Sequence, residues 1–245
     1  MTTFRLKERG ARAILLDIEG TTTPAAFVYE VLFPYARAHL REYLQDHAGG
    51  DALHDALRRL REEWREDGVA REHPPEWRED APVSAAAYLE WLMDRDRKSP
   101  ALKLLQGRIW ERGYRSGALA GRVFSDVRPA FERWHASRVA IAIYSSGSVL
   151  AQQLLFGATQ EGDLTPFISG FFDTAVGAKS SPDSYRRIAG EWRHETRAML
   201  FVSDVPAELD AAKSAGCQVL LAIRPGNPAV TDIQAETISS FDQIL

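Results

Sequence analysis

Four short stretches of the chain concentrate side chains that can serve as nucleophile, acid, anion ligand or metal ligand. The first is Asp17-Ile-Glu-Gly-Thr-Thr-Thr23, at the end of an apolar run. Side chains two residues apart in extended backbone point the same way, so Asp17 and Glu19 can face one small volume. Two carboxylates held close raise each other's pKa or recruit a cation. Mg²⁺ suits such a place, because it prefers oxygen ligands, retains water and shares its shell with a substrate phosphate. The second is Ser145-Ser146-Gly147-Ser148, between an apolar run and a helix expected to begin near Val149. Hydroxyls, backbone N–H groups and a helix dipole together make an anion site. The third is Lys179, in the loop Val176-Gly-Ala-Lys-Ser-Ser-Pro182. The fourth is Asp204, at a strand end, with Glu208 one turn into the next helix, so that both can look back at one crevice.

Each stretch alone has a plainer reading: a solvated acidic turn, an N-cap serine, a solvated lysine, an N-cap with a first-turn acid. Together they supply a nucleophile, a second acid, phosphate-binding hydroxyls, a cation and a metal carboxylate. Those are the parts of phosphoryl transfer through an aspartyl phosphate. Competing motifs fail on spacing. A serine-hydrolase elbow needs Gly where Tyr144 stands, and no G-x-x-x-x-G-K-[ST] loop occurs. A calcium loop starting at Asp17 would need an acid where Val28 stands. The six histidines show no tight ligand spacing, and Cys217 reads as a small buried hydrophobe.

Positioning these groups requires strands that end together. The runs at residues 13–18, 139–144, 198–203 and 219–223 are short, rich in Ile, Leu and Val, and lack strict alternation, as strands covered on both faces do. Open α/β sheets bind ligands at the carboxyl ends of their strands. Residues 149–156, 184–193 and 208–215 predict helices alternating with those strands. Between the first two runs the periodicity is helical. Leu53, Leu57, Leu60 and Trp64 share one face, as do Tyr88, Leu89, Leu92 and Met93, and Leu102, Leu105, Ile109 and Trp110. Asp51 and Ser84 stand where N-caps belong, and residues 71–80, proline-containing and densely charged, read as a loop. The expected fold is α/β: a Rossmann-like, mostly parallel sheet core with an inserted helical segment. Phe27, Val28, Tyr29, Leu32 and Phe33 would form a hinge, an apolar wall or plain core, and Trp64, Trp77, Trp91 and Trp110 core or rim.

The chain of 245 residues is 45% hydrophobic and 26% charged, ordinary for a globular protein. Thirty basic against 34 acidic residues give a net charge of −4, which argues against a broad nucleic-acid footprint. Apolar stretches fall far short of a membrane span, and no signal-peptide pattern is seen at the start. With a single cysteine, a cytoplasmic location is expected.

The same residues carry a family resemblance. D-I-E-G-T-T-T-P at 17–24, L-F-P-Y at 32–35, D-R-K-x-x-A-L-K-x-L-Q-G-x-x-W at 96–110, Y-S-S-G-S at 144–148, G-D-L at 162–164, S-D-V-x-x-E at 203–208 and R-P-G-N at 224–227 resemble the haloacid dehalogenase superfamily of phosphohydrolases. Within it, the chain is similar to the enolase-phosphatase (acireductone synthase) branch of methionine salvage. Glu19 is the most specific point, since most of the superfamily has aspartate there. The resemblance implies an α/β core over residues 1–24 and 125–245 with a helical cap over 25–124. It implies conversion of 2,3-diketo-5-methylthiopentyl-1-phosphate to the acireductone 1,2-dihydroxy-3-keto-5-methylthiopentene and phosphate. Asp17 would be the nucleophile and Glu19 the acid and base. Ser145, Ser146 and Lys179 would bind substrate. One Mg²⁺ per monomer would be held by Asp17, Glu19 through its backbone carbonyl, and Asp204, with Glu208 in support. The enolisation base is either Glu19 or a cap residue. The implied partner is a small phosphate ester, with no nucleic acid, no membrane and a monomeric state. Two alternatives are a capped phosphatase for another small ester and a non-enzymatic binding module.

Overall fold

A computed structural model describes residues 3–70, 72–78, 81–97, 99–231 and 234–245. The chain divides into two compact units, Met1–Val28 with Ala120–Leu245, and Tyr29–Leu119.

The first unit is built on six parallel strands: β1 (Ala13–Leu16), β2 (Ala140–Tyr144), β3 (Gly170–Phe172), β4 (Met199–Ser203), β5 (Gln218–Ala222) and β6 (Thr237–Ile238), in the spatial order β3-β2-β1-β4-β5-β6. β1 is central, with Leu16 level with Ile143 of β2 on one side and Val202 of β4 on the other. The chain runs outward from β1 through β2 to β3 and then returns across β1 to β4. This reversal opens a crevice at the carboxyl ends of the strands. Every residue of β1 and β4 is buried, which explains their unbroken apolar runs. On one face Leu15, Tyr144, Phe201 and Leu221 pack with Tyr185 and Ile188 of α8 (Pro182–Trp192) and Leu209 and Ala212 of α9 (Pro206–Ser214). In the same unit, Phe131 and Trp134 of α6 (Val127–Ala136) join Phe156 of α7 (Val149–Gly157) and Phe241 in an aromatic string.

The second unit is helical: α2 (Phe33–Asp46), α3 (Asp51–Val69), α4 (Ala85–Asp94) and α5 (Pro100–Arg115). Its heptad-like apolar faces supply the buried Leu40, Leu53, Leu60, Leu89, Leu92, Leu105 and Ile109. The Ser99 hydroxyl accepts from the Leu102 N–H at 3.1 Å, Pro100 follows it, and Arg112 and Arg115 close the last turn, so α5 is capped and charged as its dipole favours. Trp77, Trp91 and Trp110 are buried, and the Trp110 indole donates to the Leu32 carbonyl at 2.8 Å. A short helix α1 (Ala25–Phe27) and a π-helical turn (Val28–Leu32) lead into α2.

Several local expectations are corrected. Asp51 is the first helical residue and Gly50 the N-cap, without a side-chain cap bond. Ser84 is the N-cap residue of α4 as expected, but its hydroxyl bonds the carbonyls of Arg78 and Ala81 and makes no side-chain cap bond. Of the charged loop, residues 72–78 carry no helix or strand, and Arg71, Glu79 and Asp80 lie outside the described residues. Phe27, Val28 and Leu32 are buried, whereas Tyr29 is exposed. Among the described residues no helix is long and apolar enough to cross a membrane.

Candidate active site

The first strand delivers Asp17 and then turns sharply. The Asp17 N–H donates to the Val202 carbonyl at 3.0 Å, continuing the ladder one residue past β1. The Ile18 carbonyl then accepts from the N–H groups of Thr21, Thr22 and Thr23 at 3.2, 3.0 and 2.9 Å, and the Thr22 hydroxyl lies 3.1 Å from the Asp17 carbonyl. Gly20 takes φ +69°, and a Cβ there would stand 2.2 Å from Asp204 Oδ2. The glycine is therefore needed twice over, for the left-handed backbone and for the approach of Asp204.

Lys179 is drawn into the core by its neighbours' carbonyls. The Tyr144 hydroxyl donates to Gly177 at 2.9 Å, Ser184 to Ala178 at 2.7 Å and Tyr185 to Lys179 itself at 2.7 Å. All three donor side chains are buried. With its backbone so pinned, the lysine places Nζ 2.6 Å from Asp17 Oδ1 and 2.7 Å from Glu208 Oε2, with its side chain only 10% exposed. The Ser203 hydroxyl accepts from the Val205 N–H at 3.1 Å, donates to Glu208 Oε2 at 2.9 Å and lies 3.5 Å from Asp17 Oδ2. Asp17, Lys179, Ser203 and Glu208 thus form one contact network, joined across the turn by Asp204 against Gly20.

Electrostatics follow from one ammonium among four carboxylates. Burial works against the charge on Lys179, but Asp17 and Glu208 outweigh it and push its pKa up. Burial and repulsion from Asp17 push Glu19 up to about 7, with Lys179 opposing. Asp204 is also pushed up to about 7, by burial first and then by Asp17. Glu208 is raised by burial and Asp17 against the pull of Lys179. Such a pocket holds more carboxyl groups than its one ammonium can pair. Its donors are all oxygen, which fits a hard divalent cation. Among the described residues no three His, Cys, Asp or Glu side chains form a ready-made cage, and a hard cation that keeps several waters needs fewer protein ligands.

Ser145 lies directly beyond β2, the hydrogen-bonded neighbour of β1. It is buried, its N–H donates to the Phe172 carbonyl at 3.2 Å, and its hydroxyl accepts from the Gly147 N–H at 3.2 Å. Ser146 occupies the turn that follows, and Ser148 caps α7 by accepting from the Ala151 N–H at 3.3 Å. Gln152, buried in α7, steadies this turn by donating to the carbonyls of Gly147 at 3.0 Å and Phe172 at 2.8 Å. Sequence reasoning did not find Tyr144, Tyr185 or Gln152. Each sits in an apolar run or helix face and shows its role only through the carbonyl it reaches. His39 and His47 bond carbonyls one turn back in α2. Cys217 is buried, with its thiol pushed up to about 12 by burial.

The profile of haloacid dehalogenase-like hydrolases matches residues 11–216. Enolase-phosphatase E1 of Synechococcus elongatus is 49% identical over 231 residues, spanning 94% of this chain and 96% of its own. Enolase-phosphatase E1 of Drosophila melanogaster is 41% identical over 230 residues, spanning 93% and 89%. Among solved structures, the UTR4 protein of Saccharomyces cerevisiae superimposes with a TM-score of 0.77 at 33% identity, covering 95% of this chain and 99% of that one.

Proposed function

The chain belongs to the haloacid dehalogenase-like hydrolases and within them to the enolase-phosphatases, and we propose how its residues perform that activity. The enzyme enolises 2,3-diketo-5-methylthiopentyl-1-phosphate and then removes phosphate, leaving the acireductone. Asp17 attacks phosphorus, the bond from phosphorus to the ester oxygen breaks, and Glu19 gives its proton to that leaving oxygen. Water then attacks the aspartyl phosphate while Glu19, now ionised, takes the water's proton. Phosphate leaves and the Asp17 carboxylate is restored.

One observation carries this assignment. Asp17 is ion-paired to Lys179 at 2.6 Å, while Glu19, two residues on, has a pKa near 7. One carboxylate is thereby set up to attack and its neighbour to hold a proton at neutral pH. Lys179 and Ser145 bind the non-bridging phosphate oxygens, and Ser146 orients the substrate. Asp17, the Glu19 carbonyl and Asp204 would hold one Mg²⁺, which would supply the charge that offsets the repulsion between nucleophile and phosphate dianion. Glu208 and Ser203 keep Lys179 aimed at Asp17. The test is incubation with the diketone phosphate and Mg²⁺ under nitrogen. Phosphate and an enediol chromophore should appear together, and phosphate without the chromophore would leave a phosphatase with no enolase step.

A further inference from the structure

The Arg224-Pro-Gly-Asn227 turn takes no part in the chemistry above, yet both its polar ends grip the nucleophile loop. The Arg224 side chain is 2% exposed. Its Nε donates to the Thr21 carbonyl at 3.0 Å, and Nη1 donates to Asp126 at 2.6 Å and to the Ser239 carbonyl at 3.0 Å. The guanidinium lies 4.7 Å from the Phe124 ring centroid and 4.4 Å from that of Phe241. Asp126 also accepts from the Ser240 hydroxyl at 3.0 Å and the Phe241 N–H at 2.5 Å, so the base of the turn is locked.

From this base Asn227 reaches the loop's most constrained residue. Its Nδ2 donates to the Gly20 carbonyl at 2.8 Å, and its buried Oδ1 has no protein partner. The point where a Gly20 Cβ would stand is 2.2 Å from Asp204 Oδ2 and 2.9 Å from Asn227 Nδ2, so carboxylate and carboxamide flank the same glycine. Gly20 is held at both ends, because its N–H donates to the Thr23 carbonyl at 2.8 Å. The C=O and N–H of a trans peptide point in opposite directions. Fixing the Gly20 N–H therefore fixes the direction of the Glu19 carbonyl.

We propose that Asn227 is a positioning residue for the metal end of the loop: anchored through Arg224, its amide holds the Gly20–Thr21 peptide, on the far side of the Gly20 Cα from the Glu19 carbonyl, beside Asp204 and so sets the affinity for the divalent cation. The inference rests on the reading of Asp17, Asp204 and the Glu19 carbonyl as metal ligands. It is tested on the full chain stripped of metal, comparing the parent with Asn227→Leu, Asn227→Ala and Asp204→Asn. Mg²⁺ affinity is read by calorimetry and by the rise in melting temperature on adding Mg²⁺. Both Asn227 variants should bind Mg²⁺ about 10–100-fold more weakly. The Mg²⁺ concentration for half-maximal phosphate release should rise in proportion, with substrate KM at saturating Mg²⁺ near the parent value. Asn227 variants that melt lower without metal yet bind Mg²⁺ as the parent does would reduce the residue to a structural role and overturn the proposal. Loss of binding in Asp204→Asn with parental binding in Asn227→Leu overturns the Asn227 assignment alone. Parental binding in Asp204→Asn removes the ligand reading and the proposal with it.

Discussion

Replacing Gly20 by alanine separates two demands that the nucleophile loop makes of one residue. At φ +69° an L-residue pays a backbone penalty of about 1–2 kcal/mol. The added Cβ would also stand 2.2 Å from Asp204 Oδ2 and 2.7 Å from its Cγ. Ordinary carbon–oxygen contact begins about 1 Å further out, so the carboxylate must retreat by roughly that distance. Gly10 is a matched control, with φ +70° and nothing within 4 Å of its would-be Cβ. Gly10→Ala should lower the melting temperature by about 2–8 °C, at 2–4 °C per kcal/mol for a chain of this size, and leave Mg²⁺ activation unchanged. Gly20→Ala should show at least that loss and also need about 10–100-fold more Mg²⁺ for half-maximal activity, equivalent to about 1.4–2.8 kcal/mol. Both are read from thermal melts without metal and from Mg²⁺ titrations of phosphate release. A Gly20→Ala enzyme whose Mg²⁺ requirement matches that of Gly10→Ala refutes the steric reasoning and detaches Asp204 from the cation.

Asp17→Asn should lower phosphate release by about a thousandfold or more while enolisation partly persists, seen as a chromophore forming without free phosphate; release at the parental rate contradicts the nucleophile assignment. Lys179→Met strips the counter-charge from Asp17 and Glu208 and should cost about 3–5 kcal/mol near pH 8. Urea unfolding of parent and variant at that pH reads the deficit, and a loss below about 1 kcal/mol would count against the burial of an uncompensated charge. Glu19 has a pKa of about 7 in the fold against an ordinary 4.5, so the folded state binds that proton more tightly than the unfolded chain. Its contribution to metal-free stability should therefore fall as pH rises from about 4.5 through 7. The full difference corresponds to about 3 kcal/mol, and partial exposure brings it to about 1–2 kcal/mol. Relative to Glu19→Gln, the parent should lose that much between pH 4.5 and 8, and an unchanged difference would show that Glu19 does not titrate there.

The buried strands were legible because a parallel sheet covered on both faces needs uninterrupted apolar runs, and β1, β2, β4 and β5 have them. β3 and β6 were not, since three residues beginning with Gly170 and the pair Thr237–Ile238 owe their pairing to the neighbouring strand edge rather than to their own pattern. α2 escaped because its buried Ala36, Leu40, Tyr43 and Leu44 alternate with Arg37, His39, Arg41 and Glu42, which blur the apolar stripe. Asp17, Lys179 and Glu208 were findable as types at strand ends, and they meet in one network. What could not be read was the support beneath them. Tyr144, Ser184 and Tyr185 act through carbonyls, and no residue's type reveals which carbonyl it will reach. Arg224 and Asn227 were visible as a motif, without any indication of which backbone they hold.

The distribution of charge links that support to the chemistry. Lys179 is engaged by Asp17 and Glu208 together, so Glu19 and Asp204 are left without a cation of their own, and burial drives both towards 7. These two carboxyls stand alike electrostatically but not geometrically. Asp204 is pressed against Gly20 beside the Asn227 amide, so its oxygens are confined to the edge where Asp17 emerges. On the proposed ligand assignment Asp204 would be ionised when it holds a divalent cation, and Glu19 would then be the one of these two carboxyls able to keep a proton at neutral pH. The division of labour between attacking, metal-holding and proton-carrying groups therefore follows from where one lysine is pinned and how closely one glycine lets a carboxylate approach.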